Sequence, residues 1–297
     1  MVILRRAGSY AALAFLWLVH FLPTPWLGAM GRALGRLLYR FGRGRVTDVN
    51  LALCFPDMPA TERRALALRH FECLGRNAME MSVMWFGSDE RVLGLVKLVG
   101  REHLDALAGK PILLLVPHFA GLNMGGAAIA HAYPGSASIY SRQKNPVLDR
   151  LFLKGRLRFG HPLLLSRQDG MRAIVKALRD GRLLYFLPDM DFGPRDAIFS
   201  PFFGVPAATV TALPRLAQLG RATVVPAIAV QREHGYEMVV HPPWENYPSG
   251  DVEADVRRMN AFIEERIREI PEQYFWAHKR FKTRPPGEPS PYRRRAD

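Results

Sequence analysis

The chain has 297 residues, 48% of them hydrophobic, with 41 Lys and Arg against 27 Asp and Glu, a formal charge of +14. That length buries a core without staples, and that composition excludes wholesale disorder. The basic excess asks for an anionic partner, while the two cysteines, Cys54 and Cys73, make neither a disulfide framework nor a zinc knuckle and point to a reducing compartment.

In chain order, the first feature is apolar. Between Arg6 and Arg32 no side chain is charged apart from a possible His20. About 20 apolar residues cross a bilayer core, but Pro23 and Pro25 interrupt this run, and residues 8–22 alone are short for a span. The Pro-Thr-Pro-Trp sequence at 23–26 is a poor signal-peptidase site. Residues 26–42 continue as an amphipathic segment, with Trp26, Leu27, Leu34, Leu37, Leu38 and Tyr39 among Arg32, Arg36 and Arg40. Residues 1–42 are therefore expected to be a membrane anchor or interfacial helices lying on anionic headgroups, with a buried core helix as the bland alternative. Basic residues flank the run on both sides, and the body is placed on the cytoplasmic side.

The body, 43–284, alternates. Residues 60–85 have helical period after Thr61-Glu62. Ile112 to Val116 is a continuous apolar run, the mark of a strand buried on both faces. Helix 122–131, strand 136–140, helix 146–159 and strand 162–165 follow. Helix 169–180 ends at Gly181, and strand 183–187 comes next. Helix 207–219, strands 222–230 and 236–241, and a charged helix over 252–270 complete the set. This alternation predicts an α/β fold, a mostly parallel central sheet with helices on both faces. Residues 285–297 read as a loose Pro- and Arg-rich tail.

Polar groups recur where predicted strands end, which is where open α/β sheets bind ligands. His118 opens HFAGLN directly after strand 112–116, beside a helix N-terminus, a setting that suits a general base near neutral pH. Asp189 and Asp191 follow strand 183–187, and Arg142 follows strand 136–140. The two carboxylates are able to bind a divalent metal, cap a loop, orient a base or position a hydroxyl. No further ligands with metal spacing accompany them, so no metal is expected. A guanidinium at 142 suits a phosphate or an oxyanion. The sequence carries no G-x-S-x-G elbow, no phosphate loop, no G-x-G-x-x-G and no nucleic-acid recognition motif. The spacings Gly31 to Gly35 and Gly121 to Gly125 fit close helix packing.

The ordered motifs resemble the lipid A late acyltransferases, the lauroyl and myristoyl transferases of the lysophospholipid acyltransferase superfamily. The likeness spans Asn50-Leu51 with Cys54-Phe55-Pro56, HFAGLN at 118–123, Tyr140-Ser141-Arg142 with Asn145-Pro146, LPDMDFGP at 187–194, Phe202-Phe203-Gly204, and PEQYFWAHKRFKTRP at 271–285. The resemblance implies transfer of an acyl chain from acyl carrier protein to a hydroxyl of a phosphorylated glycolipid, on the cytoplasmic side of a bacterial inner membrane. Acyl carrier protein would be a co-substrate, and no cofactor is implied. His118 would be the general base, Arg142 would hold an oxyanion or phosphate, and Asp189 would position them. Asp191, Phe203, Gly204 and Arg280 would contact substrate. One departure stands out: the family pattern HxxxxD/E has Asn123 as its sixth residue here. Asparagine accepts a hydrogen bond without supplying charge. Three readings follow: Asp189 or Asp191 supplies the charge, the chain is a catalytically impaired lipid-binding relative, or the asparagine is an engineered inactivating change. Another glycolipid or a lysophospholipid is an alternative acceptor.

Overall fold

The computed structural model describes residues 2–166 and 169–293; Arg294 and Arg295 of the basic tail lie outside the described residues. The N-terminal segment forms α1 (Val2–Val19) and α2 (Thr24–Leu38). The break falls at Pro23, with Pro25 in the first turn of α2, where a missing N–H costs nothing. Among the described residues no helix is long and apolar enough to cross a membrane, so the expected spanning anchor is not found. The segment is instead two helices broken at Pro23, with exposed apolar side chains that include Tyr10, Phe15, Trp17, Leu18, Phe21 and Trp26.

After α3 (Arg45–Cys54), α4 (Ala60–Phe86) crosses α2 at backbone contact. A Cβ on Gly35 would stand 2.0 Å from the Phe71 carbonyl oxygen, and one on Gly31 would stand 2.5 Å from that of Gly75. The paired glycines thus hold these helices together, as their spacing predicts.

Next come α5 (Asp89–Leu93), β1 (Val96–Val99), α6 (Glu102–Asp105), β2 (Ile112–Leu115), α7 (Leu122–Ala132), β3 (Ala137–Tyr140), α8 (Pro146–Arg156), β4 (Leu163–Ser166), α9 (Gly170–Arg179) and β5 (Leu183–Phe186). They are followed by β6 (Ala197–Phe202), β7 (Val205–Val210), α10 (Ala212–Gly220), β8 (Thr223–Arg232), β9 (Gly235–Val240) and α11 (Val252–Glu269). The main sheet has the order β1-β9-β8-β2-β5-β3-β4, parallel throughout except for the β8–β9 hairpin. Period-two alternation splits the core. Leu113, Leu115, Leu184 and Phe186 face α9, α10 and α11, while Ile112, Leu114, Leu183 and Tyr185 face the α6 and α7 side.

Two expectations need correction. The helix read over 207–219 starts at Ala212, because Val205–Val210 is a strand paired antiparallel with β6. Phe203 and Gly204, both at positive φ, make the two-residue turn between them. The small residues 207, 208 and 212 extended the apparent helical period across that strand. Helix 146–159 ends at Arg156.

Candidate active site

The β2–β5 register builds the site. Leu115 pairs with Phe186, and each strand's chain continues three residues further, to His118 and Asp189. Two adjacent parallel strands thereby deliver a histidine and a carboxylate to the same level. The Asp189 carboxylate accepts from the His118 amide at 2.9 Å, and its other oxygen lies 2.7 Å from His118 Nδ1. Burial alone would raise the pKa of Asp189, whose side chain is 1% exposed. The charge of His118 and the two hydrogen bonds from it outweigh burial and hold the carboxyl below its ordinary range. An ionised carboxylate only accepts, so Nδ1 carries a proton, and in the neutral ring that leaves the lone pair on Nε2. The imidazole is 20% exposed.

Asn123 does not join this pair. It sits in the first turn of α7 and lines a narrow cleft between α4, α7, α8 and the strands β3 and β5. The other walls are largely apolar: Met81, Met84 and Trp85 from α4, Gly126, Ala127 and Ile129 from α7, and Phe152 from α8. Leu122 and Leu187 line the same cleft and stand in sequence beside the histidine and aspartate loops. No side chain caps the N-terminus of α7; the Leu122 amide donates to the Phe119 carbonyl at 3.1 Å, and among the described residues the amides of Asn123 and Met124 remain as donors.

Asp191 is committed to the scaffold. Its carboxylate accepts from the Thr283 amide (2.6 Å), the Thr283 hydroxyl (2.8 Å) and the Gly193 amide (2.9 Å), and its own amide donates to His278 Nε2 at 2.9 Å. The two acidic side chains thus face different partners. Burial pushes the His278 pKa down to about 4, which keeps the ring neutral and able to accept.

Arg142 stands at the β3 end as expected, but its side chain is 86% exposed and its Nε lies 3.7 Å from Asp149. Arg280, read as a substrate contact, is 1% exposed and donates to the Ala208 carbonyl and the Thr209 hydroxyl, both at 2.8 Å. Phe203, also read as a substrate contact, packs on Phe55 and Trp276 at the hairpin turn, and Gly204 completes that turn. These three positions lock the β6–β7 hairpin onto the C-terminal segment, away from the cleft lining.

That segment is the part of the site that residue chemistry alone did not assign. The Gln273 carbonyl accepts from the Ala120 amide, and the Phe275 amide donates to the His118 carbonyl, both at 2.9 Å. The Gln273 side chain bonds both backbone groups of Gln231, at 2.7 and 2.9 Å. Asn50 donates to the Trp276 and His278 carbonyls, each at 2.7 Å. The strap therefore pins the 118–121 loop and, through His278 and Thr283, the 189–193 loop. The only signal for it was the motif PEQYFWAHKRFKTRP and the isolated Asn50.

The family model described as bacterial lipid A biosynthesis acyltransferase matches residues 1–283. The lipid A biosynthesis lauroyltransferase of Escherichia coli (strain K12) is 38% identical over 291 residues, covering 96% of this chain and 94% of that protein. The lipid A biosynthesis myristoyltransferase of the same organism is 33% identical over 297 residues, covering 98% and 92%. Its palmitoleoyltransferase is 32% identical over 291 residues, covering 96% and 94%. Motif order, sheet and whole-length similarity agree, and the chain belongs to the bacterial lipid A biosynthesis acyltransferase family.

Proposed function

We propose that the chain moves a fatty acyl group from acyl carrier protein to a hydroxyl of a phosphorylated lipid A precursor, with His118 as general base. The observation that carries this is the His118–Asp189 pair beside a largely apolar cleft. Asp189 fixes the proton on Nδ1, and Nε2 takes the proton of the acceptor hydroxyl as its oxygen attacks the thioester carbonyl. The amides of Asn123 and Met124 in the first turn of α7 are the donors for the charge that develops on the carbonyl oxygen. When the tetrahedral intermediate collapses, the imidazolium returns the proton to the departing thiolate. The cleft holds the acyl chain, and the exposed Arg142 meets an acceptor phosphate at the rim. Asp191, Arg280, Phe203 and Gly204 act by holding the loops in place.

The acceptor arrives from a membrane surface, read here as the cytoplasmic face of the inner membrane. The apolar face of α1 and α2 dips into the headgroup region, with basic residues such as Arg36 and Arg40 beside anionic lipid. Helix α1 packs on α4 and α8 and α2 packs on α4, helices that wall the cleft, and Asn145 before α8 donates to Ser9 of α1 at 2.8 Å. The formal charge of +14 suits both an acidic carrier protein and a phosphorylated lipid.

The test is to incubate the membrane-bound protein with acyl carrier protein thioesters and a tetra-acylated lipid A precursor, and to weigh the product by mass spectrometry. One added chain is expected, with His118→Ala slower by about 10²–10⁴. Transfer to phospholipid but not to the precursor, or full activity in His118→Ala, would overturn the reading.

A further inference from the structure

A buried carboxylate with no part in the proton transfer lies beneath the loop that carries His118. The side chain of Glu80, on α4, is 2% exposed, and Arg76 Nε, one turn earlier, donates to it at 2.8 Å. Its other oxygen accepts from the Tyr236 hydroxyl of β9. Arg76 also donates to the Arg232 carbonyl at 2.6 Å, which ties α4 to the end of β8. The Gln231 side chain donates to the Tyr236 oxygen at 3.3 Å, so the phenol proton is directed at Glu80 while the oxygen accepts from behind. Burial, and then the charge of Glu80, push the Tyr236 pKa well above its ordinary value, which keeps the phenol a donor.

Two members of this cluster support the 118–121 loop. A Cβ on Gly121 would stand 3.0 Å from Cδ1 of the Tyr236 ring and 2.9 Å from the Ala229 carbonyl oxygen, so the loop lies directly on the ring. Gln231 holds the Gln273 side chain through both its backbone groups, and the Gln273 carbonyl accepts from the Ala120 amide at 2.9 Å. Gly121 is the N-cap of α7 and follows His118 by three residues. The seat of the Tyr236 ring therefore sets the base and the Asn123 and Met124 amides together. For stability alone a buried ion pair is a poor device, because taking two charges out of water costs about what their attraction returns. What the Arg76–Glu80 pair adds is a fixed acceptor, and so one direction for the Tyr236 hydroxyl.

We propose that Glu80 and Tyr236 are positioning residues for acyl transfer, acting as one unit that holds the 118–121 loop, and with it His118 and the first turn of α7, at the height the reaction needs. This rests on the reading that His118 is the general base. Neither side chain touches substrate. Loosening the unit leaves both substrates bound and displaces the groups that act on them, a loss that falls on kcat rather than on KM.

The experiment measures kcat and KM for the acyl carrier protein thioester and for the lipid A precursor, per folded molecule and well below Tm, in wild type, Glu80→Gln, Tyr236→Phe, the double variant and His118→Ala. Tyr236→Phe removes the hydroxyl and keeps the ring against Gly121, and Glu80→Gln removes the charge and keeps the shape. Each is expected to lower kcat by about 10–10²-fold with both KM values unchanged. The double variant should lose no more than the worse single variant, because the two residues act through one contact. A lower Tm with wild-type kcat per folded molecule would overturn the proposal and leave the pair a matter of stability. So would losses that multiply in the double variant, or a rise in KM with kcat unchanged. If His118→Ala is slow while Glu80→Gln and Tyr236→Phe turn over like wild type, the positioning role is wrong and the general base stands. If His118→Ala is as fast as wild type, the general base falls and this role with it. Should Glu80→Gln fail to fold, Tyr236→Phe decides alone, and wild-type kcat in it overturns the proposal.

Discussion

Asparagine at position 123 removes the charge from the place where the family motif puts it, and Asp189 supplies one from the neighbouring strand. Because Asp189 bonds both the amide and Nδ1 of His118, it fixes loop and ring together. Asp189→Asn should therefore reduce transfer severely, by roughly the 10⁴ that the same change costs in a serine protease through the wrong tautomer. Asn123→Ala should cost far less, and Asn123→Asp should bring little gain, because Nδ1 is already engaged. Steady-state rates of the three variants, with circular dichroism to check folding, decide the matter. If Asn123→Ala falls as far as Asp189→Asn, asparagine is the true partner. The same rates bear on the impaired-relative reading of Asn123: a large gain in Asn123→Asp would favour it.

Among the elements, the α2–α4 crossing is the most demanding. With the Gly35 Cβ direction aimed at a carbonyl oxygen of α4, even alanine forces the helices apart. Gly35→Ala should destabilise the protein by about 1–3 kcal/mol, seen as a lower Tm, whereas Gly8→Ala, with open space around it, should not. If Gly35→Ala melts like wild type, α2 does not rest on α4 as described. The β6–β7 hairpin shows the opposite relation between sequence and element. Its strand β7 joins a two-stranded ribbon held by Arg280 and by Asn260, which donates to the Pro201 carbonyl at 3.0 Å. Those partners lie far along the chain, and no local period announces them.

Over the whole molecule, pH should act through buried neutral histidines. Burial lowers the pKa of His70 and of His278 from 6.5 to about 4. The unfolded chain takes up these protons near pH 6.5 and the folded chain only near pH 4, so the unfolded state binds more protons across that window. Stability then falls as pH drops from about 6.5 to about 4 and levels off below. For the fully buried His70 alone the loss is on the order of 3 kcal/mol. Urea titrations across that range should show the decline, and His70→Gln should flatten it. A midpoint independent of pH over the window would contradict the burial of these rings. On a membrane, replacing Trp17, Phe21 and Trp26 with serine should weaken binding to anionic vesicles without lowering Tm, because these side chains are exposed. Unchanged vesicle binding would remove α1 and α2 from the membrane contact.

The sequence alone determined the layered α/β fold, the strand ends at 118, 142 and 189, the helix-packing glycines and the family, because period, turn residues and motif order are local properties. It did not determine which of these ends meet. The β2–β5 register brings His118 to Asp189, while the side chain of Arg142 turns outward and Arg280 is sealed inside. The strap at 271–283 closes onto the 118–121 loop through backbone hydrogen bonds that no residue type encodes, and onto the 189–193 loop through the Asp191 carboxylate and the His278 ring. Whether the apolar N-terminus spanned a bilayer was likewise beyond local reading. Pro23 divides it, and glycine contacts with α4 fold the second half back onto the body. The choice of carboxylate partner for His118 was therefore a tertiary decision, made by strand order across about 70 residues of intervening chain that local periodicity does not see.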